Sequence, residues 1–533
     1  MSQPKQPTNT SALATLVIVF FFWGFIAASN SIFIPFCKTH FSLSQFESQL
    51  IGSAFYVAYF VGSLVLFLMS NVLKYDIINR IGYKKGIIYG LWISVIGALL
   101  IIPSANANSF PAILVSFFVV ALGFSLQQTA AQPFAITLGD PSTGSHRLNL
   151  GGSVNSLGTT LGPLIVSFFL FGSVGNKVAN VTVTNINMLY LIVAGVFAAV
   201  ALFFTFSKLP SGKNEEKFET APKAAVSLLI MTGAIIAIII IGQLTTISKL
   251  TLLAATLIAV VGILFYSNSV AIKNNEGWGA MKYQQLIYGM LGIFVYVGVE
   301  VTIDNNFGAL LKTPGYLTDT GLDESKISKY VSLYWGSLMI GRWVGAVSVF
   351  NLKGISKKIA MIIVPFIAFG VVLFVNKLYG SDISDLYAYS IWIVVAVAAF
   401  FFGQEKPVKT LLTVSILACI AMLIGVFTNG IMSVYAFMAG GLCCAVMWPC
   451  IFSLGVGGLG KYTSQGSAFL IMMILGAAVI PPLQGAIGDI YTMHQSYVVA
   501  AICFAFLAWL AIKMRSVLKA QGLNFDDQIG GGH

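Results

Sequence analysis

Residues 189–206 read LYLIVAGVFAAVALFFTF, without a single charge, and stretches like this recur along the whole chain. A helical run of about 20 apolar residues crosses a ~30 Å hydrocarbon core. In lipid the backbone must satisfy its own hydrogen bonds, which leaves helices or closed barrels. The run 228–242, LLIMTGAIIAIIIIG, is continuous, unlike the alternation of a barrel strand. The chain therefore reads as an all-α polytopic membrane protein. Its 9% of charged residues fit that reading, since soluble domains carry roughly a quarter.

The net charge of +11 is spread over short loops and forms no continuous stripe, which argues against a nucleic-acid partner. Five of the six cysteines (all but Cys37) fall in clearly apolar helix, and none has metal-ligand spacing. The four histidines are scattered. Neither a metal site nor an enzyme's nucleophile–base pair is expected. One lysine precedes the first apolar run and no cleavage site follows it, so that run reads as a first span. The terminal GGGH is left out of the reading.

Sixteen helices are expected, near 13–36, 50–70, 84–103, 110–136, 148–172, 187–207, 224–242, 249–268, 284–310, 328–349, 359–376, 386–402, 408–427, 431–456, 465–488 and 496–516. Basic residues test the count, because they gather in cytoplasmic loops. With a cytoplasmic N-terminus, all lysines and arginines fall inside except Lys38, Lys177, Lys249, Lys312, Lys326, Lys329 and Lys377. Both termini are thus expected in the cytoplasm. Residues 208–223, KLPSGKNEEKFETAPK, read as a polar linker. The expected division is 1–207, then 208–281 with one helix pair, then 282–533.

The two halves repeat short patterns in the same order. YVAYFVGSL (56–64) matches YVSLYWGSL (330–338), and QPFAITLG (132–139) matches WPCIFSLG (448–455). Gly158 stands five residues before Pro163, as Gly476 does before Pro481. Parallel halves around a substrate held at the midplane are a transporter architecture.

Several stretches together carry a resemblance: GYKKGIIYGL (82–91), RLNLGGSVNSLGTTLGP (147–163), YVGVEVTI (296–303), KYVSLYWGSLMIGRWVG (329–345), IFSLGVGGLG (451–460) and TSQGSAFLIMMILGAAVIPPLQGAIGD (463–489). The chain resembles the fucose–galactose–glucose:cation symporter family of the major facilitator superfamily, above all its bacterial glucose/galactose transporters. The resemblance implies a major facilitator fold of two six-helix bundles rocking around a sugar site. It also implies import of a hexose across a bacterial inner membrane, coupled to sodium or protons. Twelve spans match it. The pairs 224–268 and 359–402 are left over as even-numbered insertions. Asn79 stands where the family has an acid before Arg-x-Gly, and Ser31 and Gln128 stand where the proton-coupled fucose branch has carboxylates.

Amide side chains both donate and accept, which suits sugar hydroxyls, and inside a span they should face a cavity or another helix. The candidate substrate residues are Asn30, Ser31, Gln127, Gln128, Asn155, Trp335, Trp448 and Gln484, the tryptophans as apolar walls. Helix–helix bonding is the competing role for the amides. Glu300 and Asp304 lie one turn apart inside a span, where a charge costs at least ~2.5–3.5 kcal/mol. With Thr302 they are the candidates for cation coupling, and an ion pair with Arg342 is the alternative. Arg80, Arg147 and Arg342 are candidate gating residues, Arg147 as gate or helix cap. The missing carboxylates favour sodium over a proton and keep an uncoupled facilitator in view. A sugar sensor derived from a transporter is a more distant reading. A monomer with no cofactor is expected.

Overall fold

The computed structural model describes residues 7–42, 45–140, 143–171, 182–212, 219–322, 324–350, 352, 354–403 and 406–523. The first half contains α1 (Thr10–His40), α2 (Gln45–Leu73), the short α3 (Ile77–Ile81), α4 (Tyr83–Asn106), α5 (Phe110–Thr137), α6 (Gly144–Phe171) and α7 (Val183–Phe206). Two helices follow the linker, α8 (Pro222–Leu244) and α9 (Lys249–Lys273). The second half begins with α10 (Gln284–Leu311) and α11 (Glu324–Ala346), followed by a second pair, α12 (Gly354–Leu378) and α13 (Ser390–Gly403). It continues with α14 (Pro407–Phe427), α15 (Gly430–Cys444), α16 (Met447–Val456), α17 (Thr463–Met472), α18 (Gly476–Ile490), the short α19 (Met493–Ser496) and α20 (Val498–Ala520).

All sixteen segments read from the sequence fall on helices, but thirteen stretches of the described residues are long and apolar enough to cross a membrane. The other three segments are α1, α6 and α11. Helices α6 and α11 carry polar residues such as Arg147, Asn149, Lys326 and Arg342. Of α1, the stretch Thr10–Ile26 is apolar but short. Sixteen is therefore an approximate count, with thirteen spans set by hydropathy.

Two bundles arise because each helix has small residues where a neighbour must come close. In the first, α1 packs on α6, α4 on α5 and α7, and α2 on α5. In the second, α10 packs on α18, α16 and α20, and α14 on α20 and α15. The Gly–x4–Pro repeat gains a physical meaning here. A Cβ at Gly158 would overlap the carbonyl oxygen of Phe21 on α1, and one at Gly476 would overlap that of Phe294 on α10. The same glycine thus lets the equivalent helix pair close in each half.

The second inserted pair is fastened to α11. Asn376 donates to Ser332 Oγ at 2.9 Å, and Ser337 and Tyr389 share a 2.8 Å hydroxyl contact. In the turn between α12 and α13, the Asp385 carboxylate pairs with Lys329 at 2.7 Å and accepts from Tyr330 at 2.6 Å. Tyr435 of α15 donates to the Asp385 carbonyl. The first inserted pair is joined by Ser227 and Ser267, and α9 lies against α18 and α10.

Leucine at either close-approach glycine should force the paired helices apart, at a cost of about 1–3 kcal/mol. Gly158→Leu and Gly476→Leu should each lower the melting temperature in detergent. Gly233→Leu, where a Cβ meets open space, should leave it unchanged.

Candidate functional site

Glu300 sits just past the midpoint of α10, 9% exposed, within a helix buried along most of its length. A carboxylate there requires partners. Tyr296, one turn earlier, donates to Oε1 at 2.8 Å, and Arg342 of α11 approaches the same oxygen at 3.4 Å. Tyr334 donates to the Glu300 carbonyl at 2.7 Å and ties α11 to α10. The other end of the Arg342 guanidinium donates to Ser156 Oγ on α6 at 2.9 Å. One arginine therefore joins the buried acid of the second half to a helix of the first.

The neighbourhood of that pair is aromatic. Trp448 lies 6.2 Å from the Tyr296 ring and stacks on Phe452 at 5.9 Å. Its buried Nε1 has no partner. Asp304, one turn beyond Glu300, is half-buried and stands beside Trp335. Tyr56 of α2 stands near both carboxylates, so the first half also borders this space.

The other candidates divide into two groups. Gln128 is half-buried and donates to Tyr59 Oη at 2.8 Å, and half-buried Asn155 donates to the Phe20 carbonyl at 3.0 Å. Each keeps further hydrogen-bonding capacity. Gln127 is fully buried inside the first bundle, accepting from Trp23 at 2.7 Å and donating to Ser94 at 3.1 Å. Gln484 is equally buried and donates to Ser496 at 3.2 Å. In this structure both are enclosed by helix contacts, Gln484 with its Oε1 unpartnered. Thr302 is fully buried with an unpartnered hydroxyl. Two residues from Glu300, it does not share that face of the helix. The side chains of Asn30 and Ser31 lie outside the described residues.

The three arginines have three different roles. Arg80 is exposed and rests 4.2 Å over the Tyr75 ring in its own loop, without reaching the other half. Arg147 is 1% exposed and donates to the carbonyls of Ala135, Ile136 and Asp140 and to Thr143 Oγ1. It caps the end of α5, as orphan carbonyls at a helix terminus require. Arg342 alone of the three spans the halves.

The halves meet at the end of the molecule that carries both termini. There, α11 packs on α6, and α17 packs on α2 and α5. Trp343 donates to the Ser153 carbonyl at 3.3 Å, and Ser467 donates to the Thr129 carbonyl at 2.9 Å. Phe67 and Phe469 meet edge to face at 4.7 Å. Asp76 N-caps α3 and accepts from Ser464 at 3.0 Å. Burial pushes its carboxyl up, against the pull of hydrogen bonds from Asn79, Ser464 and Ile78. The linker joins this seam through Glu219, which binds Lys461 and Tyr462 of the second half; those contacts hold its carboxyl low. The molecule is closed at this end.

Sequence reasoning missed Tyr296, although its i, i+4 spacing to Glu300 was visible. It also missed Ser156, Tyr56 and the Asp76–Ser464 contact, which join residues distant in sequence and leave no periodic trace. Among the described residues no three His, Cys, Asp or Glu side chains gather as a metal site.

Residues 15–405 match the family description "Major Facilitator Superfamily". The chain belongs to the Major Facilitator Superfamily. This is a family of transporters and not of enzymes. The chain is 28% identical to a glucose/galactose transporter of Brucella abortus over 94% of this chain and 93% of that one. It is also 28% identical to a putative glucose/galactose transporter of Helicobacter pylori, over 96% and 98%. It is 22% identical to the L-fucose-proton symporter of Escherichia coli, over 93% of this chain and 91% of that one. The solved fucose:proton symporter of E. coli has the same fold, with a TM-score of 0.63 over 94% of this chain and 98% of that one, at 20% identity. These relatives are consistent with the fucose–galactose–glucose symporter family.

Two measurements check the closed end. A Cβ at Gly345 would stand 2.7 Å from Asn149 Cγ, so Asn149→Cys with Gly345→Cys should form a disulfide on mild oxidation. In a background without native cysteines, both thiols should become inaccessible to maleimide and return on reduction. Asp76→Ala removes a helix cap and a cross-half bond, and should cost about 1–2 kcal/mol of stability, read as a lower melting temperature.

Proposed function

We propose that this protein imports a hexose by alternating access, driven by proton exchange at Glu300. The observation that carries the reading is the Tyr296–Glu300–Arg342–Ser156 chain, which links an ionisable group in one half to a helix of the other. With Glu300 ionised, Arg342 is held between carboxylate and Ser156, and the terminus-bearing end stays shut. Protonation of Glu300 removes the charge that holds Arg342, loosens the seam and favours opening of that end. An ion can shift such an equilibrium only by its differential affinity for the two states, and a charge gained or lost here supplies that difference.

The arrangement supports a proton over the sodium ion expected from sequence. Thr302 faces away from Glu300, and the guanidinium already occupies the carboxylate. The relatives' names, glucose/galactose transporter and L-fucose-proton symporter, support a sugar as substrate. Gln128, Asn155, Trp335 and Trp448 are the residues best placed to receive it, the amides through hydroxyls and the indoles through an apolar sugar face. The basic loops favour a cytoplasmic placement of the closed end and both termini.

Uptake of radiolabelled glucose, galactose and fucose into proteoliposomes tests this, with imposed proton or sodium gradients. Glu300→Gln mimics the protonated state and should retain sugar counterflow while losing at least tenfold of gradient-driven accumulation, the scale of a lost buried charge interaction. Accumulation by that variant within twofold of wild type would remove Glu300 from coupling. Uptake that follows only a sodium gradient would overturn the proton assignment, and indifference to both gradients would favour a facilitator.

A further inference from the structure

The linker ends, and the first inserted pair begins, against the seam between the halves. Glu219 binds Lys461 and Tyr462 of the second half. Two residues on, Ala221 is fully buried, and its N–H donates to Asn71 Oδ1 of α2 in the first half at 2.6 Å. Asn71 stands one turn after Phe67 on the same helix face, and Phe67 meets Phe469 of α17. The segment 219–221 is thus fastened to both halves.

The local sequence explains the arrangement. Pro222 opens α8 and leaves Ala221 just outside it, with an N–H that has no partner in the helix. Asn71 fixes its own amide by donating to the Phe67 carbonyl at 3.0 Å, which leaves Oδ1 as the acceptor for Ala221. The connection from α9 to α10 closes over the same point. The Lys223 N–H donates to the Gly277 carbonyl at 3.0 Å, and a Cβ at Gly279 would stand 2.6 Å from Ala221 Cβ. The Ala280 N–H donates to Gln465 of α17, and Lys282 reaches the Tyr462 hydroxyl at 3.3 Å.

The two sides of this fastening are unequal. Glu219, Ala280 and Lys282 all attach to residues 461–465 of the second half, and α9 packs on α10 and α18. The first half is reached through Asn71 and the short contact of α8 with α2 around it. We propose that the start of α8 is a strap that holds the terminus-bearing end shut, with Asn71 as its catch and Glu219 positioning it. When α2 and α17 separate, α8 and α9 stay with the second half and the Ala221–Asn71 bond breaks. The strap rests on the alternating-access reading, but on no step at Glu300. A core without α8 and α9 has no Ala221 to offer, so the inserted pair shifts the balance toward the state closed at this end.

Electron–electron double resonance on the full chain in lipid nanodiscs, without sugar or gradients, tests the strap. In a background without native cysteines, spin labels at Lys85→Cys of α4 and Lys519→Cys of α20, both exposed at this end, report the separation of the halves. Asn71→Leu should raise the ratio of long to short distances about threefold to tenfold, the worth of one neutral hydrogen bond. Asn71→Asp keeps the acceptor and should stay within twofold of wild type. Glu219→Lys, on the exposed surface, should open the end as Asn71→Leu does. A wild-type distribution in Asn71→Leu, or equal opening in Asn71→Asp, would overturn the strap.

Glu300→Gln in the same labelled background separates this proposal from the coupling mechanism. Opening in Glu300→Gln but not in Asn71→Leu removes the strap alone. Opening in Asn71→Leu but not in Glu300→Gln supports the strap and removes Glu300 from control of the seam. A single short distance in every variant, with or without added glucose, overturns both the strap and alternating access.

Discussion

A carboxylate placed deep in a lipid-embedded bundle must find a counter-charge or give up its own charge. Glu300 meets that demand with Tyr296 from its own helix and Arg342 from the next. The consequences extend outward. Arg342 needs a second acceptor and takes Ser156 from the opposite half, so the electrostatics of one residue become part of the contact between bundles. Tyr334 fixes the α10–α11 spacing at the same level. Local satisfaction of one acid thus sets the relative position of the two halves.

The remaining contacts of the seam are weaker singly and act together. A serine–carbonyl bond, an aromatic pair and the bond from Ser464 to the Asp76 cap join α17 to the first half. The linker adds Glu219 to this set. Such interhelical bonds are worth about 0.6–2 kcal/mol each in membranes. In the proposed mechanism a seam held by several such bonds responds to a change in one charge more readily than a large dry interface would.

Much of the fold was legible in the sequence because length and hydropathy report a span directly. The Gly158 and Gly476 repeat was legible for the same reason as their function, since a close approach tolerates no side chain. Glu300 stood out because an acid in an apolar run is costly. The amides were less legible. Gln127 and Gln128 are adjacent in sequence, but one points into the bundle and meets Trp23 and Ser94, while the other keeps capacity to spare beside Tyr59. Helical facing at that resolution depends on which neighbour lies on each side, and a single sequence does not record it. Arg147 shows the same limit: a basic residue at a loop–helix junction serves a gate or a cap equally well until the carbonyls around it are seen.

The clasp at Asp385 carries a mechanical consequence. Because Lys329, Tyr330 and Tyr435 all grip that turn, α12 and α13 travel with α11 as a single body. Any tilt of α11 sweeps this extra flank through the surrounding lipid, whereas the first pair meets α2 through the start of α8, where the Ala221 N–H donates to Asn71 Oδ1 at 2.6 Å. The energetic cost of a cycle therefore depends on how readily the bilayer deforms beside one half of the molecule, which makes membrane thickness and fluidity part of its working load.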